Sequence, residues 1–298
     1  MYKIGIYGAS GYTGYELIKI IHSHPQLELA WGTSTQYAGQ RLCDIFPTSL
    51  EYILTNADEV VLDEADLVFT ALPHGTAMGF VAKARNAGVK VVDLSADFRI
   101  SNLATYEKAY TTHTAWDLAS EAVYGLSEIY RSSIQKSSLV ANPGCYPTCS
   151  LLGLWPLLQD PSYKIRSIFI DAKSGVSGAG RGLRLSSHFV ESNENLSPYS
   201  IGRKHRHVVE IDEQISFWNA EAPHVVFCPH LVPLAQGMLN TMYVSVENEI
   251  SEEAVREAFS SRYANEPFVH FLPAGQNASI KHAAHTNHCF VSVEVLPE

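Results

Sequence analysis

Tyr2-Lys3-Ile4-Gly5-Ile6-Tyr7 runs straight into Gly8-Ala9-Ser10-Gly11-Tyr12-Thr13-Gly14. A helical stretch then opens at about Tyr12, with Leu17, Ile18 and Ile21 at helical spacing. A short β-rich run, a G-x-x-G-x-x-G turn and a helix together form a site for a pyrophosphate. Such a ligand needs backbone N–H groups and a helix N-terminus at close range, and a Cβ at the glycine positions would block the approach. A tight strand-to-helix turn with no ligand is the alternative; the position between strand and helix favours the cofactor. Gly8, Ser10, Gly11, Tyr12, Thr13 and Gly14 are therefore the expected dinucleotide contacts.

Outward from this turn the same alternation continues. Strands are expected at Leu27 to Trp31, Leu67 to Ala71 and Val89 to Leu94, with a helix from Ala77 to Asn86 closed by Gly88. Several of these strands are continuously apolar, which indicates a parallel sheet covered on both faces. The fold class is α/β: a Rossmann-type, doubly wound parallel sheet over residues 1–144. After Gly144 the texture changes. A helix is expected from Thr148 to Leu158, then longer strands at Ile165 to Ala172, Val225 to Cys228, Thr241 to Val246 and Cys289 to Val295. A glycine- and serine-rich stretch (Ser174 to Gly182) and a polar loop (Glu191 to Arg203) interrupt them. Residues 145–298 thus read as an α+β domain with a mixed or antiparallel sheet, and Asn142-Pro143-Gly144 is the boundary.

Composition bounds the function. The chain of 298 residues is 46% hydrophobic and 17% charged, with a net charge of −10, which suits a globular protein and repels phosphate backbones and anionic lipid. No nucleic-acid or membrane partner is expected, because no apolar run nears the ~18 residues of a membrane span. A glycine-rich turn at Gly8 occupies the place of a signal peptide's apolar region, so a cytoplasmic protein is expected. Cys43, Cys145, Cys149, Cys228 and Cys289 are spread without a C-x-x-C pair. That argues against a disulfide framework and against zinc, and no metal is expected.

Where the second strand ends, an enzyme of NAD would place an acidic residue on the ribose 2′-hydroxyl. Here stand Gly32-Thr33-Ser34-Thr35 and Ala38-Gly39-Gln40-Arg41. Hydroxyls and backbone donors without a carboxylate suit a 2′-phosphate, so NADP(H) is the expected cofactor, with Ser34, Thr35 and Gly39 beside it. Leu72, Pro73 and Ser95, just past later strands, complete the cofactor contacts.

Asn142-Pro143-Gly144-Cys145-Tyr146-Pro147-Thr148 sets one cysteine at the domain boundary, where the following helix would lend its N-terminal dipole to a thiolate. A buried, inert thiol is the alternative, and the expected fate of the other four cysteines. A thiolate beside a nicotinamide cofactor implies attack on an acyl or aldehyde carbon, with hydride exchange at that carbon. The acid/base group that this needs is offered by Arg203-Lys204-His205-Arg206-His207-Val208-Val209-Glu210, whose cations would also favour a thiolate and an anionic substrate; a basic surface turn is the alternative. Asp93-Leu94-Ser95-Ala96-Asp97-Phe98-Arg99 ends a strand, and Arg99 is a fork for phosphate or carboxylate unless it pairs with Asp97 or Asp93. Lys173 to Arg181 is an anion-binding loop or a flexible one.

Together these motifs resemble the N-acetyl-γ-glutamyl-phosphate reductase family, almost end to end. The resemblance is carried by G-A-S-G-Y-T-G, by T-S-T-Q-Y-A-G-Q-R-L-C-D-I-F-P at Thr33, D-L-S-A-D-F-R at Asp93 and A-V-Y-G-L-S-E-I-Y-R at Ala122. It continues through A-N-P-G-C-Y-P-T at Ala141, S-G-V-S-G-A-G-R at Ser174 and H-R-H-V-V-E-I at His205. The family is similar to the aspartate-semialdehyde dehydrogenases, whose cysteine follows a different motif. The resemblance implies that Cys145 displaces phosphate from the γ-acyl phosphate of N-acetylglutamate, and that NADPH reduces the resulting thioester to the semialdehyde. It further implies His205, then His207, as acid/base, with Glu210 orienting a histidine. Arg99, Asn142, Ser177, Gly178 and Arg181 would meet the acyl phosphate, and the chain would form a homo-dimer or homo-tetramer through the second domain. Alternatives are the homologous N-acetyl-α-aminoadipyl phosphate, aspartate semialdehyde, or an NADP sensor without turnover.

Departures from the family are Val208-Val209 where Thr-Pro or a similar pair is usual, Thr35 where a basic residue is common, and Gln236-Gly237 where an arginine often precedes glycine. Family members usually continue past Cys289 to Val295 into a helix with a D-N-L-x-K-G-A-A-G-Q-A signature. This chain ends before that signature, so the expectation is either that the sequence is incomplete or that another element covers the face that this helix would cover.

Overall fold

A computed structural model describes residues 1–296, and the chain forms two compact units, Met1–Gly144 and Cys145–Glu298. In the first, β1 (Tyr2–Tyr7), α1 (Tyr12–Ser23), β2 (Leu27–Gly32), β3 (Leu67–Thr70), α2 (Ala77–Asn86) and β4 (Lys90–Asp93) follow the expected alternation. They continue with α3 (Leu103–Ala109), β5 (Ala122–Tyr124), α4 (Ser127–Ile134) and β6 (Leu139–Ala141). The six strands lie in the order β2-β1-β3-β4-β6-β5, all parallel. This is the doubly wound sheet expected from the apolar runs.

Strand alternation explains how both faces are buried. Ile4 and Ile6 of β1 pack with Ile18 and Ile21 of α1 and with Leu42 and Leu54. Tyr7 joins the opposite cluster, with Trp31, Val68, Val81 and Ala84 of α2, Val91 and Leu139. Such fully buried aliphatic side chains contribute about 1.5–3 kcal/mol each.

The second unit contains α5 (Cys145–Leu158), β7 (Ile165–Gly175), α6 (Phe189–Ser192), β8 (Ser197–Pro198), α7 (His207–Trp218), β9 (Val226–Val232) and β10 (Met238–Val246). Then come α8 (Glu252–Tyr263), β11 (Val269–Phe271), α9 (Ile280–Ala283) and β12 (Cys289–Val291). Its main sheet has the order β10-β7-β9-β8. The β7–β9 pair is parallel and its flanking pairs are antiparallel, so the sheet is mixed. A parallel pair, β11–β12, stands apart.

Some boundaries differ from the sequence-based expectation. Strands β9 and β10 are longer than the runs expected at Val225 and Thr241, reaching forward to Val232 and back to Met238. The run at Cys289 keeps strand pairing only to Val291. The largest difference is α5, which starts at Cys145 and not at Thr148. Pro147 conceals that start: a proline usually marks a break, yet in a first turn its missing N–H has no helical partner to lose.

A second proline, Pro156, lies inside α5 and leaves the carbonyl of Leu152 without its i+4 donor. The Tyr263 hydroxyl of α8 donates to that carbonyl, so a tertiary contact replaces the lost helical bond. Helix α5 is buried along most of its length, including Leu151, Leu152, Leu154 and Leu158. One face of the sheet carries the buried Ile168, Ile170, Ala172 and Phe227. The other exposes Phe169, Val226 and Tyr243 at 47%, 39% and 60%, in register across three strands.

Candidate active site

The glycine turn fits a pyrophosphate. Gly8 has φ +86°, and a Cβ there would stand 2.3 Å from the Ala71 carbonyl oxygen. A Cβ on Gly14 would stand 2.3 Å from the Gly8 oxygen and 2.7 Å from the Ala9 Cα. Neither position admits a side chain, so this packing draws the turn tight against the sheet. Gly11 differs: its Cβ would meet nothing nearer than the Gly8 oxygen at 3.6 Å. Protein packing does not require a glycine there, whereas a ligand approaching the backbone does. Helix α1 has no side-chain cap and no acidic residue in its first turn, which leaves its N-terminus receptive to an anion. Tyr12 and Thr13 are exposed on that turn.

At the end of β2 stand hydroxyls. Gly8 donates its N–H to Thr33 Oγ1 at 3.3 Å, and the Ser10 and Ser34 hydroxyls share a 2.8 Å hydrogen bond. Ser34 Oγ also accepts the Tyr37 N–H at 3.1 Å. Thr33 and Ser34 are buried, while Thr35 and Gly39 are exposed and Leu72 and Pro73 lie on the following surface. No acidic side chain occupies residues 32–41.

The Asp93–Arg99 segment is a buried hydrogen-bond network. Asp93 accepts Thr70 Oγ1 at 2.5 Å and Ser95 Oγ at 2.7 Å. Burial pushes its carboxyl up, and the Thr70 and Ser95 bonds oppose that. Ser95 Oγ in turn accepts the Asp97 N–H at 3.0 Å, and Asp97 Oδ1 accepts the Gly75 N–H at 2.8 Å and the Tyr106 hydroxyl at 2.7 Å. Ser95 is fully buried. Arg99 is 6% exposed, with Nε on the Asn142 carbonyl and Nη2 on the Leu94 carbonyl, both at 2.7 Å. The sequence leaves Arg99 either a ligand anion or a carboxylate partner. These two donors instead hold main chain and anchor the segment just ahead of Cys145. The Asn142 side chain donates to the Pro143 carbonyl at 3.1 Å.

In the second unit, Cys145 is exposed as the first residue of α5, where the helix dipole favours a thiolate. Cys149, one turn on, is desolvated and its pKa pushed up, so it stays a thiol. The residue after Cys145, Tyr146, is 2% exposed. Its ring packs edge-on against His205 at 5.6 Å, His207 at 6.0 Å and Phe227 at 5.1 Å between centroids. Tyr199 packs on His205 at 5.5 Å and donates its hydroxyl to Tyr146 Oη at 3.1 Å. The sulfur of Cys145 is among the groups that raise the pKa of both tyrosines, after burial. These residues form an aromatic cage next to Cys145.

The cage sets the state of His205. Burial, helped by the Arg206 cation, lowers its pKa to about 4, so the ring is neutral at physiological pH. Its Nδ1 accepts the His207 N–H at 3.1 Å, which assigns the remaining proton to Nε2. His205 therefore does not add to the positive charge expected of this segment; it is a neutral hydrogen-bond donor. His207 opens α7, and Glu210, 1% exposed, follows in the first turn.

The Ser177–Arg181 loop leaves the end of β7 through a 3₁₀ turn, Val176–Ala179. Ser177 donates its N–H to the Ala235 carbonyl at 3.1 Å, and Gly178 is exposed. A Cβ at Gly178 would stand 2.9 Å from Ser174 Oγ, and Ser174 is a hydrogen-bond partner of Tyr146. The loop therefore begins at the floor of the aromatic cage. Tyr146, Tyr199 and Phe227 are the functional candidates that sequence reading missed. Among the described residues no cluster of three or more His, Cys, Asp or Glu has metal-binding geometry, and no helix is long and apolar enough to cross a membrane.

Known proteins match both parts of the chain. Family models described as semialdehyde dehydrogenase, NAD binding domain, and semialdehyde dehydrogenase, dimerisation domain, match residues 3–137 and 145–298. N-acetyl-gamma-glutamyl-phosphate reductase of Moorella thermoacetica is 44% identical over 300 residues, covering 99% of this chain and 86% of its own. That of Halothermothrix orenii is 45% identical with the same coverage. The chain belongs to the N-acetyl-γ-glutamyl-phosphate reductase family, among the semialdehyde dehydrogenases. Solved structures share the fold at low identity. Aspartate semialdehyde dehydrogenase II from Vibrio cholerae has a TM-score of 0.72 and 17% identity over 98% of this chain and 88% of its own. The Candida albicans aspartate semialdehyde dehydrogenase with NADP has a TM-score of 0.64 and 16% identity, over 95% and 85%. The family members are oxidoreductases, and this chain carries both of their domains.

Proposed function

We propose that this chain reduces N-acetyl-γ-glutamyl phosphate to N-acetylglutamate 5-semialdehyde with release of phosphate, a step of arginine biosynthesis, and that NADPH is its reductant. The observation that carries the reading is the exposed Cys145 at the N-terminus of α5, with a neutral His205 in the aromatic cage beside it. The 44–45% identical relatives with this activity in their name support the substrate.

Cys145 attacks the γ-acyl carbon as a thiolate, and the carbon–oxygen bond to phosphate breaks, leaving a thioester. His205 donates its Nε2–H to the developing oxyanion, as a neutral imidazole that stabilises charge without first being a cation. Glu210 and His207 support that segment from the first turn of α7. Ser177, Gly178 and Arg181 meet the substrate's anionic groups, and Arg99 secures Asn142 ahead of the nucleophile. When bound, the dinucleotide would supply hydride to the thioester carbon, after which the carbon–sulfur bond breaks, releasing the semialdehyde and restoring the Cys145 thiolate. Gly8, Ser10, Gly11, Tyr12, Thr13 and Gly14 hold its pyrophosphate, with Leu72, Pro73 and Ser95 further along the same sheet edge. Ser34, Thr35 and Gly39 accept the 2′-phosphate, since no carboxylate stands there to repel it.

The test runs the reaction backwards: NADP⁺ reduction by N-acetylglutamate semialdehyde, with and without inorganic phosphate, and with the one-methylene-longer semialdehyde and aspartate semialdehyde in parallel. Phosphate-dependent NADPH formation with the acetylated glutamate substrate is expected, and faster than NADH formation from NAD⁺. Preference for either parallel substrate overturns the substrate assignment; equal use of NAD⁺ overturns the cofactor assignment. The exposed row Phe169–Val226–Tyr243, in the unit that matches a dimerisation domain, supports a homo-dimer or homo-tetramer. A monomer by sedimentation at micromolar concentration would remove that part. Five free cysteines suit a reducing compartment, and the proposal includes the cytoplasm.

A further inference from the structure

Tyr199 stands among exposed residues, from Asn193 to Pro198 before it and Ser200 and Ile201 after it, yet its own ring is turned inward. The backbone pays for that turn once: Ser200 has φ 45° and Gly202 φ 79°, and a left-handed serine persists only where its surroundings hold it. The Tyr199 N–H is donated to the Pro229 carbonyl of β9 at 3.0 Å, and the Gly202 carbonyl accepts the Phe227 N–H at 3.0 Å. The strained stretch is thus tied to β9 on both sides of Tyr199.

Inside the cage, Tyr199 and Tyr146 approach the His205 ring at 5.5 Å and 5.6 Å, and their hydroxyls join at 3.1 Å. His205 packs on Phe227 at 5.3 Å as well. One tyrosine follows the nucleophile in α5, and the other comes from a loop remote in sequence. Their hydroxyl bond is therefore the clasp that closes the cage over the imidazole. Burial raises the pKa of both phenols, so each remains a neutral hydroxyl over the working pH range and serves as a hydrogen-bonding group, not as a base.

We propose that Tyr199 is a positioning residue for the reaction: its hydroxyl, bonded to Tyr146, holds the His205 ring in place and dry beside the end of α5 that carries Cys145. This inference rests on Cys145 and His205 being the reacting pair.

The test compares Tyr199→Phe and Tyr199→Ala with the wild type. Turnover is normalised to the amount of Cys145 that iodoacetamide titrates, and His205 is titrated by ring NMR in the free protein. Tyr199→Phe keeps the ring and loses the clasp. It is expected to lower kcat per reactive thiol about tenfold, the scale of one lost hydrogen bond, with KM within about twofold. Tyr199→Ala opens the cage, and the His205 titration is expected to move up from about 4 toward the ordinary 6.5. A purely structural role would lower the fraction of reactive protein but leave kcat per reactive thiol unchanged. Wild-type kcat in Tyr199→Phe, or a His205 that still titrates near 4 in Tyr199→Ala, overturns the proposal. Failure of the substrate assignment is seen separately, in the wild type's choice of semialdehyde, while the His205 titration needs no substrate.

Discussion

Cys145→Ser is expected to lower kcat by about 10⁴-fold or more, with NADPH binding and thermal stability close to wild type. A serine hydroxyl is nearly isosteric, but its proton is far harder to remove than a thiol's, and the nucleophile is the ionised form. Removing a group that forms the covalent intermediate typically costs about this much, because the remaining groups cannot act without it. The position supports the thiolate: Cys145 is exposed and first in α5, where the helix dipole favours negative charge. Stability should hardly change, since an exposed side chain loses little packing. Iodoacetamide is expected to label one thiol in the wild type with parallel loss of activity, and that label should vanish in Cys145→Ser. Cys149 stays unlabelled, because burial keeps it protonated. Full turnover in the serine variant, or labelling that leaves turnover intact, would sink the thioester mechanism.

What could be read from the chain, and what could not, follows from the range of each interaction. The first unit is written locally: Ile4 and Ile6 alternate with Gly5 and Tyr7, and G-x-x-G-x-x-G bridges β1 and α1. Cys145 stands out by its place at the domain boundary ahead of a helix, and the His205–His207 segment by two histidines among cations in an acidic chain. The aromatic cage does not. Tyr146, Tyr199 and Phe227 come from α5, a loop and β9, and nothing periodic links them. His205 shows the consequence most clearly. In sequence it sits among Arg203, Lys204 and Arg206 and reads as part of a cationic turn. Folded, burial between aromatic rings outweighs hydration, and the neighbouring cation pushes in the same direction, so the ring is neutral. Arg99 likewise reads as an anion fork, yet two of its donors hold backbone carbonyls that no local pattern announces.

His205→Asn carries the second large effect. The expected fall in kcat is about 10²–10³-fold, within the range for removing an acid/base group or an oxyanion donor, and NADPH binding by fluorescence should stay within about twofold. Its pH behaviour separates this role from a merely structural one. An ordinary histidine would protonate through 6.5, whereas His205 is held down to about 4. The acid limb of kcat/KM should accordingly lie well below 6.5, near 4, provided the fold survives there. Stability follows with a definite sign. Between pH 6.5 and about 4 the unfolded chain binds a proton at this position that the native state refuses, so unfolding becomes easier as pH falls through that window, and nothing changes above it. His205→Asn removes this linkage, so its stability should decline less than the wild type's between pH 7 and pH 5 in urea titrations. Equal declines in the two proteins would mean that His205 is solvated and ordinary. A variant that turns over normally would move the reacting proton elsewhere in the His205–Glu210 segment, with His207 next to be replaced.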